Sequence, residues 1–231
     1  MLDVRRSDVK PYIMTLRELS QLVTLGEGQT LEFKKRVPGP ERIAKEVIAF
    51  ANTGGGRLLL GIDDDGTVVG VKDAAEEEYA LQEALDQHSE PPVAFTTERL
   101  PVTKKRNVIV VYVPVSARKP HFLINGENGT RMAYVRVEDM SVEASPEAVR
   151  LMKAQQYPED VLFEFGEKEQ TLMRYLDSYG RISVAQFASL ANISPHDASQ
   201  TLVLMARANV LHLHSDPKED YFTLAYRFPE K

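Results

Sequence analysis

Three carboxylates in this sequence lie where predicted strands begin and end. Glu27 precedes a strand that carries Glu32, and Asp64 follows the next strand along the chain. Divalent Mg2+ and Mn2+ prefer several oxygen ligands, which two or three carboxylates from different elements can supply. A metal ion bound in this way can generate hydroxide and stabilise the negative charge that develops on a cleaved phosphodiester. The three residues are therefore candidate catalytic and metal-ligating residues.

This candidate metal site requires a bend in the chain. Glu27 and Glu32 are five positions apart, and on a continuous strand this spacing puts the two side chains on opposite faces. Residues 28–30 must therefore turn if the two carboxylates are to converge. The alternative interpretation is structural: Glu27 is a turn residue, Glu32 is solvated, and Asp64 belongs to the Asp-Gly turn of a hairpin.

Basic residues follow Glu32 directly. Lys34 shares a strand face with Glu32, and Lys35 and Arg36 continue the run. These cations can neutralise backbone phosphates beside the acidic trio. Alternatively, Lys34 forms an ion pair with Glu32, and the other two cations are solvated at the end of the strand. We predict a phosphate contact for Lys34 in particular, because it shares the face of Glu32.

A second set of basic residues surrounds Pro120. Arg118, Lys119 and His121 lie in a predicted loop, and Arg136 lies on the strand that follows it. These residues can form a basic rim for a nucleic-acid strand. Equally, they can be ordinary surface charges, with Arg136 as the partner of a carboxylate in the core sheet.

The spacing of apolar residues predicts the elements that hold these candidates. Helical spacing is present in 16–23, 41–51, 74–88 and 147–156, and strand patterns are present in 31–34, 58–62, 67–71, 93–100, 107–114 and 132–137. The second and third of these strands are predicted to form a hairpin. Because helices and hairpin-connected strands are mixed, we predict an α+β fold, a mixed sheet with flanking helices.

After a predicted linker, the pattern changes to three helices and a terminal hairpin of 210–214 and 221–228. This order resembles a winged helix-turn-helix. The third helix is predicted to expose His196, Ser199, Gln200, Val203 and Arg207. Because glutamine and arginine side chains can read base edges, Gln200 and Arg207 are candidate nucleic-acid contacts. The alternative is a winged helix used for dimerisation.

The composition excludes several classes of protein. The chain of 231 residues has no cysteine, which excludes disulfides, thiolate zinc sites and cysteine nucleophiles. Its longest strongly apolar run, 108–113, is too short to span a bilayer, so we expect a cytoplasmic protein with no membrane partner. Because the net charge is −6, nucleic-acid binding must use a local basic patch, or metal ions that screen the carboxylates.

The three consecutive glycines at 54–56 do not form a nucleotide site. A P-loop needs the pattern Gly-x-x-x-x-Gly-Lys-Ser/Thr between a strand and a helix. Here the glycines follow a helix, and no Lys-Ser or Lys-Thr pair comes after them. We therefore expect a helix-to-strand turn, no nucleotide cofactor and no ATPase activity.

Three ordered blocks carry a resemblance to a known family. They are Glu27-x-x-x-x-Glu32-Phe33-Lys34, Ala49-Phe50-Ala51-Asn52-Thr53-x-Gly55-Gly56 and Leu60-Gly61-Ile62-Asp63-Asp64-x-Gly66. Together they resemble the Schlafen AlbA_2-type domain, also called the "divergent AAA" domain. We therefore predict an N-terminal arm at 1–14, a Schlafen AlbA_2-like domain at 15–156, a linker at 157–166 and a winged helix at 167–231.

The resemblance implies a function. In Schlafen proteins with ribonuclease activity, an acidic trio occupies the places of Glu27, Glu32 and Asp64. The resemblance thus implies an endonuclease that depends on Mg2+ or Mn2+ and cleaves RNA such as transfer RNA, with Lys34 as a further catalytic candidate. Schlafen ribonuclease cores join two related lobes, so this chain, with one copy, is expected to form a homodimer. Their zinc motif has cysteine ligands, so no zinc is expected here.

Two alternatives belong to other classes of function. The first is a non-catalytic DNA-binding transcriptional regulator, in which the AlbA-type domain grips the backbone and the winged helix gives sequence preference. The second is a scaffold in which both domains serve assembly. Cleavage that depends on a metal ion distinguishes the nuclease from both alternatives.

Overall fold

The structure of the protein is a computed structural model, which describes residues 14–124, 129–156 and 164–225. The helices are α1 (Leu16–Leu25), α2 (Pro40–Asn52), α3 (Ala74–His88), α4 (Pro146–Gln156), α5 (Glu167–Tyr179), α6 (Val184–Ala191) and α7 (Pro195–Arg207). The strands are β1 (Leu31–Lys34), β2 (Gly56–Leu60), β3 (Ser89–Glu90), β4 (Thr96–Thr103), β5 (Arg106–Val113), β6 (Phe122–Ile124), β7 (Arg131–Val137), β8 (Met140–Glu143), β9 (Leu211–His214) and β10 (Tyr221–Leu224). No helix in the described ranges is long and apolar enough to cross a membrane.

Some predictions concern residues outside the described ranges. The predicted arm, apart from Met14, lies outside the described residues, as do positions 157–163 of the predicted linker and the end of the predicted last hairpin. Met14 itself is buried, with 2% of its surface exposed. It therefore belongs to the folded domain and not to an arm.

Two four-stranded sheets organise the first two thirds of the chain. The first sheet has the order β1-β2-β5-β4, and the second has the order β3-β6-β7-β8. β1 and β2 are parallel and are joined through α2, whereas the other described pairs in the two sheets are antiparallel. This arrangement of a mixed sheet with flanking helices confirms the predicted α+β fold.

α2 lies at the centre of this domain and packs against both β7 and α3. Its Val47 and Phe50 are fully buried, and Ala49 and Ala51, on other sides of the same turns, are fully buried as well. The segment 47–51 of this helix is apolar on all sides, and such a segment is buried in the centre of a fold. α2 therefore fixes the position of the second sheet relative to the first.

The first sheet is covered on both faces. On β5, Ile109 and Val111 face the core that α2 and α3 complete, whereas Val108 and Val110 face a second core that includes Leu19 of α1. Burial on both faces explains the continuous apolar runs of β2 and β5, since neither face requires polar residues.

The predicted hairpin of 58–62 and 67–71 forms only next to its turn, where Ile62 and Val68 make an isolated antiparallel bridge and Asp63 N donates to Thr67 O at 2.9 Å. The chain then leaves β2, and Val71 makes an isolated bridge with Asn107, at the start of β5. A Cβ atom on Gly61 would lie only 2.9 Å from the Cα of Gly70, and both glycines have positive φ angles. This close crossing is open only to glycine, and it turns the chain across the end of the sheet.

Gly55 and Gly56 explain the glycine block after α2. Gly55 has a φ of +70°, and a Cβ there would lie 2.8 Å from the carbonyl oxygen of Val113 and 2.9 Å from the nitrogen of Val115. A Cβ on Gly56 would collide with the ring of Phe50. The turn from α2 to β2 therefore passes too close to the chain after β5 to carry side chains.

We expect Gly55→Ala to lower the free energy of unfolding by about 2–4 kcal/mol, because it adds backbone strain to a collision with fixed backbone atoms. Gly54→Ala is the matched control, since nothing lies within 4 Å of a Cβ at that position. For this control we expect a change below about 0.5 kcal/mol. Urea unfolding followed by circular dichroism measures both variants, and equal midpoints would contradict this explanation of the turn.

The C-terminal elements, from α5 to β10, have a core of their own. Leu172, Phe187 and Leu202, one from each helix, pack against Phe222 of the antiparallel pair β9–β10. Ile182, between α5 and α6, makes an isolated bridge with Phe222. The order of helices and strands is the one that the sequence predicts, and the assignment as a winged helix stays a prediction.

Candidate nucleic-acid interface

The guanidinium group of Arg136, on β7, is buried and joins three elements. Its Nη1 donates to Glu32 Oε2 at 2.9 Å and to Glu46 Oε2 at 3.0 Å, and its Nη2 donates to the carbonyl of Gly28 at 2.8 Å. The guanidinium carbon lies 4.7 Å from the centre of the Phe50 ring, and Arg136 is only 2% exposed. The expectation that Arg136 forms part of a basic rim is therefore wrong, because the side chain is buried as the partner of core carboxylates.

Glu32 is buried between two cations. Lys34 Nζ contacts its Oε1, and Arg136 donates to its Oε2. With 5% of its surface exposed, Glu32 is not solvated, in contrast to the structural alternative that the sequence allowed. The ion pair between Glu32 and Lys34 is the one that the alternative interpretation of Lys34 contained.

The bend that the acidic trio requires is present before β1. Gly28 and Leu31 form an isolated bridge, in which Gly28 N donates to Leu31 O at 2.9 Å. Glu27 Oε1 then accepts a hydrogen bond from the backbone N–H of Phe33 at 2.7 Å. Because β1 is an edge strand, this N–H has no partner strand, and the Glu27 carboxylate protects the open edge.

The three carboxylates are close enough to affect one another. Partial burial raises the pKa of Glu27, and the negative charges of Glu32 and Asp64 raise it further. The hydrogen bond from Phe33 and the charge of Lys34 act in the opposite direction. Asp64 is exposed in the turn after β2. The bend thus brings Glu27 into the field of both other acids.

The donor set does not fit a divalent metal ion in this arrangement. Within the described residues, no group of three or more His, Cys, Asp or Glu side chains can hold a metal ion. Each oxygen of Glu32 already faces a cation, Lys34 or Arg136. A metal ion at Glu32 would therefore have to displace one of these positive charges.

The predicted basic residues fall into separate places. Lys35 forms an exposed ion pair with Asp63 at 2.6 Å, and Arg36 is exposed just before the N-terminal end of α2. The loop that carries Arg118 is attached to the other end of α2, where Ser116 N donates to Ala51 O at 3.0 Å. A helix of 13 residues separates the two places by roughly 20 Å.

A buried histidine fixes the loop at 116–121. His121 is 1% exposed, and its ring contacts the carbonyl of Pro91 at 2.7 Å through Nδ1 and the hydroxyl of Ser116 at 2.6 Å through Nε2. Because a carbonyl only accepts, we assign the proton to Nδ1, so that Nε2 accepts from Ser116. Burial lowers the pKa of His121, which keeps the ring neutral and the loop in place.

Arg118 and Lys119 project from this fixed loop. Within the described residues neither side chain forms an ion pair. Arg118 is exposed, whereas Lys119 is half-buried, and this burial lowers the pKa of Lys119. Lys119 also lines a cleft of about 410 Å³ with His212 and Ser215 of the C-terminal elements. A desolvated cation without an acidic partner is suited to binding an anion.

The outer face of α7 is largely covered by α4. Ser199 and Val203 are only 4% and 7% exposed. The hydroxyl of Ser199 accepts from Arg150 Nη1 at 2.7 Å and contacts the carboxylate of Glu147. The expectation that α7 exposes Ser199 and Val203 is therefore wrong, because this face packs against the first domain.

The two candidate contacts on α7 are placed differently. Gln200 is exposed, hydrogen-bonds His196 at 2.8 Å, and borders a cleft that Glu167 and Glu169 also line. Such an acidic cleft repels phosphate. Arg207 is half-buried at the last turn of α7. Neither residue lines the cleft that Lys119 lines, although Ala206, next to Arg207, does.

Sequence reasoning missed the roles of Glu46 and Asn52. The helical spacing puts Glu46 on the polar side of α2, but its carboxylate accepts from Arg136 and from the hydroxyl of Ser141. The Asn52 amide donates to the carbonyls of His121 and Tyr134, both at 2.9 Å. The sequence did offer one signal for Asn52, because this residue lies in the second of the three blocks that carry the family resemblance.

These observations define a mixed α+β domain with a buried carboxylate–arginine network. Three helices and an antiparallel pair of strands follow it in the C-terminal part of the chain. The model of the family described as "Schlafen, AlbA_2" matches residues 27–145, and the chain belongs to this family. Membership of the family indicates a nucleic-acid-binding protein. No match was found among curated proteins.

Two solved structures are similar to parts of the chain. The DIP2311 protein from Corynebacterium diphtheriae has 21% identity and a TM-score of 0.40, over 58% of this chain and 28% of that one. The N-terminal domain of a RecG-related protein from Nitrosomonas europaea has 21% identity and a TM-score of 0.37, over 54% of this chain and 90% of that domain. The matched part thus spans under a third of the DIP2311 chain.

We expect Arg136→Met to lower the free energy of unfolding by about 3–5 kcal/mol, because it leaves buried carboxylates without their cation. The matched control is Arg131→Met on the same strand. Arg131 pairs with Glu90 at 3.1 Å, but both side chains are about half exposed, so we expect a loss of at most about 1 kcal/mol. Chemical unfolding measures both, and losses of similar size would contradict a structural role for the buried network.

Proposed function

We propose that this protein binds nucleic acid through backbone phosphates that contact Arg118 and Lys119. The observation that carries the proposal is the loop around buried His121, which holds two cations that have no acidic partner among the described residues. Because the chain as a whole has a net charge of −6, binding must depend on such a local site. Phosphate is the ligand that these two cations fit best.

The structure of the loop supports this proposal. Its hydrogen bonds to Asn52 and Pro91 hold the backbone before any ligand arrives, so little conformational entropy is lost on binding. Lys119 has already lost part of its hydration, as the lowered pKa indicates. A phosphate beside Lys119 would supply the counter-charge that is missing.

Binding without cleavage is the form of this function that the geometry favours. Glu32 is saturated by Lys34 and Arg136, and we derive no reaction step from a metal ion at this site. The regulator that the sequence suggested would read bases with α7, but Ser199 and Val203 are packed against α4. We therefore propose backbone binding and assign no sequence preference to α7.

Metal-dependent endonuclease activity on RNA, including transfer RNA, is a second candidate. It is favoured by one observation: partial burial raises the pKa of Glu27, the charges of Glu32 and Asp64 add to this effect, and a bound cation would relieve the repulsion among the three acids. Cleavage would require the ion pair between Glu32 and Lys34 to open. The homodimer belongs to this candidate, since it would pair two copies of the domain.

The double variant Arg118→Ala/Lys119→Ala tests the phosphate contacts. We expect affinity for RNA and DNA to fall about tenfold or more, and the slope of log affinity against log salt concentration to decrease by about 1.5–2. Fluorescence polarisation across a salt series measures both quantities. The control is Lys104→Ala/Lys105→Ala, two exposed lysines at the opposite end of β5. Equal losses in the two double variants would refute a specific site at the loop.

Cleavage is tested with labelled transfer RNA, single-stranded RNA and DNA, incubated with Mn2+, Mg2+ or a chelator. Asp64→Ala is the informative variant, because Asp64 is exposed and its loss leaves the Glu32–Arg136 pair intact. If the site lacks metal chemistry, as the geometry favours, all substrates stay intact in every lane. Cleavage that requires a metal ion and disappears in Asp64→Ala would instead establish the second candidate.

A further inference from the structure

A groove of about 880 Å³ lies on the first sheet, on the face opposite α2 and α3. It is lined by Arg57 and Tyr112, by the turn at 54–56, and by Leu22 and Leu25 of α1. We call it the Tyr112 groove. Its volume lies within the range of about 300–1,000 Å³ that is typical of small-molecule sites. Of the acidic trio, Glu27 also lines the groove, whereas Glu32 and Asp64 do not.

Arg57 has an unusual environment within this groove. Its guanidinium carbon lies 5.8 Å from the centre of the Tyr112 ring, and the side chain forms no ion pair among the described residues. The ring itself is held in place, because the Tyr112 hydroxyl donates to Glu98 at 3.0 Å. A fixed aromatic ring beside a cation without an acidic partner can stack a base and attract its phosphate.

The side of the groove formed by α1 is apolar and exposed. Leu25, at the end of α1, has 80% of its surface exposed, and Leu22 is only partly buried. A leucine exposed to this extent at the edge of a groove suits a ligand with an apolar face. A nucleobase has such a face, and its polar edge can reach Glu27 at the rim.

We propose that the Tyr112 groove binds an unpaired base of single-stranded nucleic acid, stacked on Tyr112 with Arg57 facing its phosphate. This inference rests on the proposed function and defines its substrate class. A base inside a duplex is stacked between its neighbours and cannot enter such a groove without being flipped out. The groove therefore makes the protein selective for single strands or loops over duplex.

The groove and the phosphate site are close to each other along the chain. Its lining includes Val113 and Pro114, and the loop that carries Arg118 begins directly after them. Four residues of chain span at most about 14 Å. One strand can therefore place a base in the groove and a neighbouring phosphate on Arg118, so the two sites act on the same ligand.

The test uses the full-length protein and a single-stranded oligonucleotide of about 12 nucleotides with 2-aminopurine at a central position. Stacking on Tyr112 is expected to quench the fluorescence of the analogue, and affinity for the single strand is expected to exceed that for the matching duplex about tenfold or more. Arg57→Gln and Tyr112→Leu should each reduce this preference at least about threefold. Tyr112→Phe, which keeps the ring, is the control and should preserve the quenching.

The outcomes separate this inference from the proposed function. Binding that depends on Arg118 and Lys119 but is equal for single strand and duplex, without quenching, would overturn the base site and leave the phosphate site intact. Failure to bind any nucleic acid would overturn both. Arg57→Gln keeps the test decisive if Tyr112→Leu unfolds, because Arg57 is only half-buried, and an unchanged preference in this variant would refute the proposal.

Discussion

The charge network of Arg136 is the interaction on which the rest of the domain depends. It connects β7 of the second sheet with β1 of the first through Glu32, and with α2 through Glu46. Burial of a guanidinium group is costly unless its charge is balanced, and here two carboxylates, a backbone carbonyl and an aromatic face provide the balance. This side chain therefore ties the second sheet to the first, in addition to the packing of α2 against β7.

The same network constrains the chemistry of the acidic residues. Glu32 cannot serve both Arg136 and a metal ion in one arrangement, because its two oxygens already face cations. The carboxylate of Glu27 has a different structural role, since it accepts a hydrogen bond from the backbone N–H of Phe33 at the open edge of β1. Glu27 and Glu32, whose residue type suggests catalysis, thus make contacts that stabilise the fold.

Nucleic-acid binding by an acidic chain depends on how its charges are distributed. Most basic residues near β1 are neutralised locally, as Lys34 and Lys35 show. Arg118 and Lys119 differ because their loop is built by neutral hydrogen bonds around His121. A protein with net negative charge can therefore still present a positive site, provided that no carboxylate lies beside it.

The sequence by itself determined the class of the fold, the helical segment at 41–51, the glycine turn at 54–56 and the family, because apolar periodicity and turn residues act over short distances. It also contained the possibility that Arg136 pairs with a core carboxylate. Only the tertiary structure decided that Glu32, 104 positions away, is this partner, that Ser199 is covered by α4, and that Lys119 forms no ion pair with the residues that the structure describes. Contacts between distant segments depend on how whole elements pack, and no local pattern records that packing.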